Sequence, residues 1–169
     1  MMKKMKLQDK GFTLVELLVV IAIIAILAGV VVLAINPLKI FQESRDATRL
    51  SDMDTVNKAI TLAIADDEFT MTIAQGTSAT DGIGVNGNNG WVKYTIPSQK
   101  TGLGKYLAVL PKDPSSDRAY EYKSDGLGYV LRCQLESLKY TPKMSTDGGA
   151  SSSYYEVGTD PGLDLFGAQ

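Results

Sequence analysis

A single carboxylate, Glu16, interrupts an apolar segment that otherwise occupies residues 14–35. A charged side chain at the centre of a bilayer costs on the order of 2.5–3.5 kcal/mol, so an acid there needs a partner, and this segment contains no basic residue. A cut between Gly11 and Phe12 would supply one, because the new α-amino group, with a pKa of about 7.7–8.0, is mostly cationic at neutral pH. Residues 12 and 16 share one helix face, so the amine and Glu16 would pair within a chain or between neighbouring chains.

Other residue types that carry chemistry are scarce in this sequence. It contains no histidine, which excludes a Ser–His–Asp triad, an imidazole base and histidine metal ligands. Its one cysteine, Cys133, permits no internal disulfide and no Cys-x-x-Cys site, and we expect it to be a small buried apolar residue. Asp160 and Asp164 lie on a glycine-bearing loop whose oxygen atoms suit calcium, but two acids are too few. A solvated turn is the preferred interpretation, and no cofactor is expected.

The element that positions Glu16 is predicted to be a membrane-spanning helix. As a helix, residues 14–35 would extend about 33 Å, close to the ~30 Å hydrocarbon core of a bilayer. The lysines that precede this segment should stay in the cytoplasm, which places the rest of the chain on the far side in a single-pass, N-in orientation. The segment exceeds the apolar region of a secretory signal peptide, which has about 7–15 residues. The main alternative is a simple anchor for an extracytoplasmic enzyme or ligand-binding module.

The residues around the predicted cut resemble a known processing signal. Residues 10–16 read KGFTLVE and are followed by LLVVIAIIAILA, which resembles the class III signal of type IV pilins and type II secretion pseudopilins. The resemblance implies cleavage after Gly11 by a prepilin peptidase, N-methylation of Phe12 by the same enzyme, and retention of the apolar helix. In that family the acid that matches Glu16 pairs with the N-terminal amine of an adjacent subunit. The implied partners are further copies of the chain, the peptidase, the inner-membrane assembly machinery and, before assembly, membrane lipid.

A break is predicted where the apolar segment ends. Pro37 lacks an amide hydrogen and suits the first position of a new helix, with Asn36 as its cap. Gly29 and Pro37 together resemble the helix-breaking glycine and proline found in many pilins. Gly29 also belongs to a series of small residues that favours close helix approach in lipid, namely Ala22, Ala25, Ala28 and Gly29.

An amphipathic helix is predicted from about residue 38 to residue 65, because apolar residues recur there every three or four positions. The acids at residues 66–68 predict its end, since the helix dipole disfavours negative charge at a C-terminus. The charged residues of this helix predict a solvated face, and their alternative role is to set the register between subunits. These residues are Glu43, Arg45, Asp46, Arg49, Asp52, Asp54 and Lys58.

The distal half predicts a small antiparallel sheet joined by long loops. Residues 76–104 contain seven glycines and predict a connecting loop around one strand at residues 91–96. Residues 119–123 and 129–135 predict a β-hairpin whose second strand has one apolar face, and residues 154–157 predict a last strand. That apolar face requires a cover, which the amphipathic helix supplies.

These observations predict an α+β, pilin-like protein rather than an enzyme. We expect a leader at residues 1–11, a transmembrane and filament-core helix at 12–35, an amphipathic helix at 36–68 and a loop-rich β-sheet head at 69–169. The predicted function is a structural subunit of a type IV pilus or type II secretion pseudopilus, and the sequence leaves open which of the two. Such a subunit is a precursor in the inner membrane and becomes part of an extracellular or periplasmic filament.

The net charge bears on the partners of the mature chain. Removal of residues 1–11, which carry four lysines and one aspartate, changes the formal net charge from −2 to −5. Phosphate affinity comes mainly from Lys and Arg, so nucleic acid is not expected to be the main partner.

Overall fold

The computed structural model describes residues 11–167. It divides into two compact units, Met1–Leu38 and Lys39–Gln169, and the second is called the head below. The main elements among the described residues are α1 (Leu14–Ala34), α2 (Pro37–Ala65), β1 (Ile73–Thr77), β2 (Glu121–Asp125), β3 (Tyr129–Cys133) and β4 (Tyr155–Gly158). Two helices followed by one antiparallel sheet confirm the predicted α+β class.

The helix α1 is apolar except for Glu16 and runs without interruption from Leu14 to Ala34. Gly29 lies inside it, and a Cβ added there would meet nothing within 4 Å. The predicted contribution of Gly29 to a helix break is therefore wrong, because one glycine weakens a helix by only about 1 kcal/mol and it directly follows Leu27 and Ala28, which are strong helix formers.

The break lies immediately before Pro37, where α1 has ended and α2 begins. Proline suits this position because the first amides of a helix have no intrahelical partner and its φ angle is already helical. At the other end, α2 stops at Ala65, directly before the three acids. Asp67 adopts a left-handed conformation with φ of 56°, and the Glu68 amide donates to the Ala63 carbonyl at 2.7 Å, which closes the helix.

The four strands form one antiparallel sheet in the order β1-β2-β3-β4. The hairpin of β2 and β3 pairs Ser124 with Tyr129 across its turn, close to the predicted ends. The strand β1 lies partly inside the segment that was predicted to be a loop, so that boundary is wrong. The strand predicted at residues 91–96 is also wrong, since only an isolated bridge between Thr70 and Thr95 forms there.

The core of the head lies between α2 and one face of the sheet. Met53, Val56 and Ile60 on α2 are fully buried, as are the alternating residues of β3 that share that face. Cys133 is one of these, which confirms the expectation of a buried, apolar cysteine. Trp91 is also fully buried, and its indole nitrogen donates to the Pro111 carbonyl at 2.9 Å.

The other face of the sheet is covered by the C-terminal segment. Arg132 on β3 lies over two aromatic rings, 4.1 Å from the centroid of Tyr154 and 3.8 Å from that of Phe166. A guanidinium over an aromatic face is attracted by the ring quadrupole while its flat surface still packs. All five residues of β3 are therefore buried, although its sequence predicted only one covered face.

Candidate assembly site

The N-terminus of α1 is closed by a reciprocal capping box between Thr13 and Glu16. The Thr13 hydroxyl oxygen accepts from the Glu16 amide at 3.2 Å, and the Thr13 amide donates to Glu16 Oε2 at 2.9 Å. The Thr13 hydroxyl also donates to Oε2, at 2.8 Å. The carboxylate is therefore folded back towards the start of the helix rather than directed along it.

The capping box is a site feature that our sequence analysis missed. Its signal was local and readable, because Thr-x-x-Glu before an apolar run is the usual pattern for such a box. The box gives Glu16 hydrogen-bond partners within its own chain, in addition to the cationic partner that the sequence predicts. It also fixes the position of the carboxylate relative to the predicted cleavage point.

The predicted cleavage point lies outside the helix. Gly11 and Phe12 precede the N-cap, Phe12 is 90% exposed, and a Cβ added at Gly11 would meet nothing within 4 Å. A cut between them would leave α1 and its capping box intact, and the new amine would stand one residue before Thr13. Of the predicted leader, only Gly11 belongs to the described residues.

The surface that follows Glu16 is apolar on every side. The stretch Leu14–Val32 has a mean hydropathy of 3.1 and none of it is buried, and its length is sufficient to cross a membrane. A helix that is apolar all round requires burial in a membrane or among other chains. Glu16 is the one acidic or basic residue of this stretch, so the surroundings that cover α1 also cover this carboxylate.

A buried ionic cluster holds α2 to the rest of the head. Arg49 is fully buried and bonds both oxygens of Asp113, through Nε at 2.9 Å and Nη2 at 2.8 Å. Its Nη1 donates to Asp46 and to Glu136, each at 2.8 Å. The prediction of a solvated charged face is therefore wrong for Asp46 and Arg49, which point into the head.

The cluster is completed by Arg45, and the five residues are called the Arg49 cluster below. Arg45 forms a bidentate pair with Glu136, at 2.6 and 2.9 Å. Asp46 accepts from the amides of Glu136 and of Ser137, the latter at 2.7 Å. These contacts join the N-terminal half of α2 to the segment before β2 and to the segment after β3.

The electrostatics of the cluster favour the ionised state of Glu136 and of Asp113. Hydrogen bonds from Arg45, and then from Arg49, outweigh burial and lower the pKa of Glu136 to about 2. Burial alone would raise the pKa of Asp113, but hydrogen bonds from Arg49 and Ser115 lower it overall. The side chains of the cluster are engaged with one another, so its geometry is that of an internal clamp.

The two acids that were considered for calcium lie together on the C-terminal loop. Asp160 Oδ2 accepts from the Asp164 amide at 3.1 Å, which is the hydrogen bond of a turn. Within residues 11–167, no three or more His, Cys, Asp or Glu side chains gather as metal ligands would.

An exposed apolar helix that begins with a capped acid and leads into a helix-on-sheet head defines a pilin-like class of protein. Residues 6–32 match the family described as the prokaryotic N-terminal methylation motif. Over 158 residues the chain is 28% identical to the type IV major fimbrial protein FimA of Dichelobacter nodosus strain VCS1703A, covering 88% of this chain and 91% of that protein. A second FimA from Dichelobacter nodosus matches to the same extent. No solved structure gives a significant match.

The motif and the similarity along most of the chain together support assignment to the type IV pilin family. Similarity to a fimbrial structural subunit indicates a non-enzymatic protein.

Proposed function

We propose that this chain is a filament subunit of a type IV pilus. The observation that carries the proposal is α1, a helix long enough to cross a membrane, with none of its apolar stretch buried and a capped acid at its start. The precursor resides in the inner membrane with residues 1–11 on the cytoplasmic side, and the mature chain joins an extracellular filament. Among the two machines that the sequence left open, the fimbrial relatives favour the pilus over the secretion pseudopilus.

Processing prepares the subunit for assembly. A prepilin peptidase cuts after Gly11 and methylates the new N-terminus at Phe12. The cationic amine then lies close to the carboxylate of Glu16, which the capping box already holds at the N-terminal end of α1. In surroundings of low dielectric constant an unpaired charge is costly, so each buried carboxylate strongly favours a position beside an amine.

Assembly exchanges contacts of α1 with lipid for contacts with other copies. Lipid is as apolar as the helix, so association depends on close packing and on polar pairing rather than on the hydrophobic effect. Ala22, Ala25, Ala28 and Gly29 provide the small side chains that permit close packing. The pair between one subunit's amine and a neighbour's Glu16 sets the axial register. Such head-to-tail contacts are heterologous and generate open filaments.

The proposal is tested by intact-mass measurement and N-terminal sequencing of filaments sheared from cells. We expect a mature chain that begins at Phe12 and is heavier by one methyl group, recovered from filaments that electron microscopy shows on the cell surface. A membrane-bound chain that keeps residues 1–11 and forms no filaments would contradict the proposal in favour of an anchored enzyme or binding module. Correct processing without surface filaments would favour the pseudopilus.

A further inference from the structure

The head has two opposite ends, defined by how β3 runs along α2. Near the start of β3, the Tyr129 hydroxyl donates to Asn57 Oδ1 at 2.8 Å, in the C-terminal half of α2. Beyond the end of β3, Glu136 bonds Arg45, near the N-terminal end of α2. The two elements are therefore antiparallel. The β2–β3 turn lies at the end of the head where α2 stops, and the segment after Glu136 lies at the end where α2 starts.

Each end presents large apolar side chains to solvent. At the end where α2 stops, Ile73 is 86% exposed and Leu127 is 87% exposed. They are neighbours, because Ile73 pairs with Asp125 and its Cγ1 lies 3.7 Å from the Cβ position of Gly126. We call this surface the turn end. At the opposite end, which we call the loop end, Leu138 is 86% exposed.

The turn end carries carboxylates. Asp125 Oδ1 accepts from the amides of Leu127 and Gly128, both at 2.8 Å. These bonds, the Gly128 bond foremost, lower the pKa of Asp125 and keep it ionised. Asp160 is close by, since its Cβ lies 3.2 Å from the Cβ position of Gly128. The amine of Lys123, which is on β2, lies over the Phe166 ring, 5.6 Å from its centroid.

The loop end carries the opposite charge. The Lys139 amine lies 3.5 Å from Glu43, and the Lys39 amine lies 4.0 Å from the same residue. Lys139 directly follows Leu138, so an exposed amine lies beside this exposed leucine. Both lysine side chains are more than half exposed, at 56% for Lys139 and 59% for Lys39.

We infer that the loop end of one subunit docks on the turn end of another copy of this chain in the filament. Leu138 contacts Ile73 and Leu127, while Lys139 faces Asp125 and Asp160. The occupant is a second copy because the two complementary surfaces lie at opposite ends of one head, so the contact repeats without closing. Complementary charge fixes the register and orientation of the two heads more than it adds affinity. The inference rests on the proposed function, because it assigns a second contact to the same filament.

The sharpest test is disulfide cross-linking in filaments of the full chain that carry Leu127→Cys and Leu138→Cys together. Both side chains are highly exposed, so cysteine replacements should leave the fold intact, and Cys133 is buried and does not compete. A disulfide requires Cα atoms about 4.4–6.8 Å apart. We expect mild oxidation to convert most monomers into a ladder of multimers on a non-reducing gel. Each single variant should stay monomeric.

The matched control pairs Leu138→Cys with Ser51→Cys, which is exposed on α2 midway between Arg45 and Asn57. This control should form filaments without a ladder. Intact filaments of the Leu127/Leu138 double variant that remain monomeric would overturn the docking contact and leave the proposed function standing. Dimers from either single variant would overturn it in favour of a symmetric contact. Absence of filaments from the unsubstituted chain would contradict the proposed function, and this inference with it.

A second measurement addresses the charges. Lys139→Glu should lower the yield of intact filaments after shearing, and Asp160→Lys in the same chain should restore it. Equal yields from the unsubstituted chain and from the Lys139→Glu variant would overturn the assigned role of these charges.

Discussion

The helix α1 and the head differ in where their side chains find partners. In α1 no residue of the apolar stretch is buried, and within residues 11–167 its one carboxylate is bound by Thr13 of its own N-cap. In the head, burial extends to a fully enclosed arginine with three acidic partners. The head is therefore stabilised within one chain, whereas α1 becomes stable only through contacts with lipid or with other copies.

Removing the charge of Glu16 should have the largest effect, which is on filament assembly. Glu16→Ala should leave cleavage after Gly11 unaffected but reduce the yield of sheared filaments to background, because the N-terminal amine loses its carboxylate. Glu16→Gln separates charge from capping, since glutamine also serves in a capping box. We expect it to fail in assembly as well. N-terminal sequencing of the membrane fraction checks the processing.

The control for this experiment is Thr13→Ala, which removes the N-cap hydroxyl at a cost of about 1 kcal/mol and keeps the charge of Glu16. It should still form filaments. Normal filaments from Glu16→Gln would show that the carboxylate acts as a cap and would contradict the proposed pair with the amine.

The next largest effect should come from the Arg49 cluster. Arg49→Met leaves three acids without their shared cation and should lower the free energy of unfolding of the head by about 3–5 kcal/mol. Thermal unfolding of the detergent-solubilised chain, followed by circular dichroism, measures the change. Lys58→Met is the matched control, because its pair with Asp54 is exposed and worth less than about 1 kcal/mol. Equal unfolding temperatures for the two variants would refute the role of the cluster as a clamp.

Acid should weaken the head through Glu136. Its pKa falls from 4.5 to about 2 on folding, so its stabilising contribution is present above pH 4.5 and is lost as the pH falls through that interval. We expect a loss on the order of 2–3 kcal/mol between these limits. Burial raises the pKa of Glu156, which contributes with the opposite sign. The measurement therefore compares urea unfolding of the unsubstituted chain with Glu136→Gln, whose dependence on pH should be flatter.

The smallest expected effect concerns the end of α2. Asp67 has φ of 56°, a conformation that glycine adopts without strain. Asp67→Gly should raise the free energy of unfolding by about 0.5 kcal/mol, and Asp67→Val should lower it, because a β-branched residue is an outlier there. Urea titrations resolve the two directions. A loss of stability in the glycine variant would mean that the aspartate side chain supports this end.

Local signals explain what the sequence could predict. The two helices, the break before Pro37 and the β2–β3 hairpin all follow from residues a few positions apart. The capping box also depends on residues a few positions apart, so the sequence was sufficient to predict it. The Arg49 cluster was not, because its arginine meets Asp113 and Glu136 across separations of 64 and 87 residues. On the helix alone, Arg49 looks like any solvated charge.

The strand β1 illustrates a different reason for failure. The glycines that follow Gly76 predict a loop there, yet a Cβ at this position would overlap the Trp91 carbonyl oxygen. The glycine is present because another segment of backbone passes close to the strand. Composition alone does not separate these two uses of glycine.

The antiparallel alignment of β3 with α2 has a mechanical consequence. Tension transmitted along the chain from α1 enters the head at the start of α2, where the early contacts with the rest of the head include the Glu43–Lys139 pair and the bonds of the Arg49 cluster. These bonds cross from helix to loops, so the load shears several charge-assisted bonds together instead of opening them one at a time. The head should therefore resist extension along α2 better than peeling from its C-terminal segment.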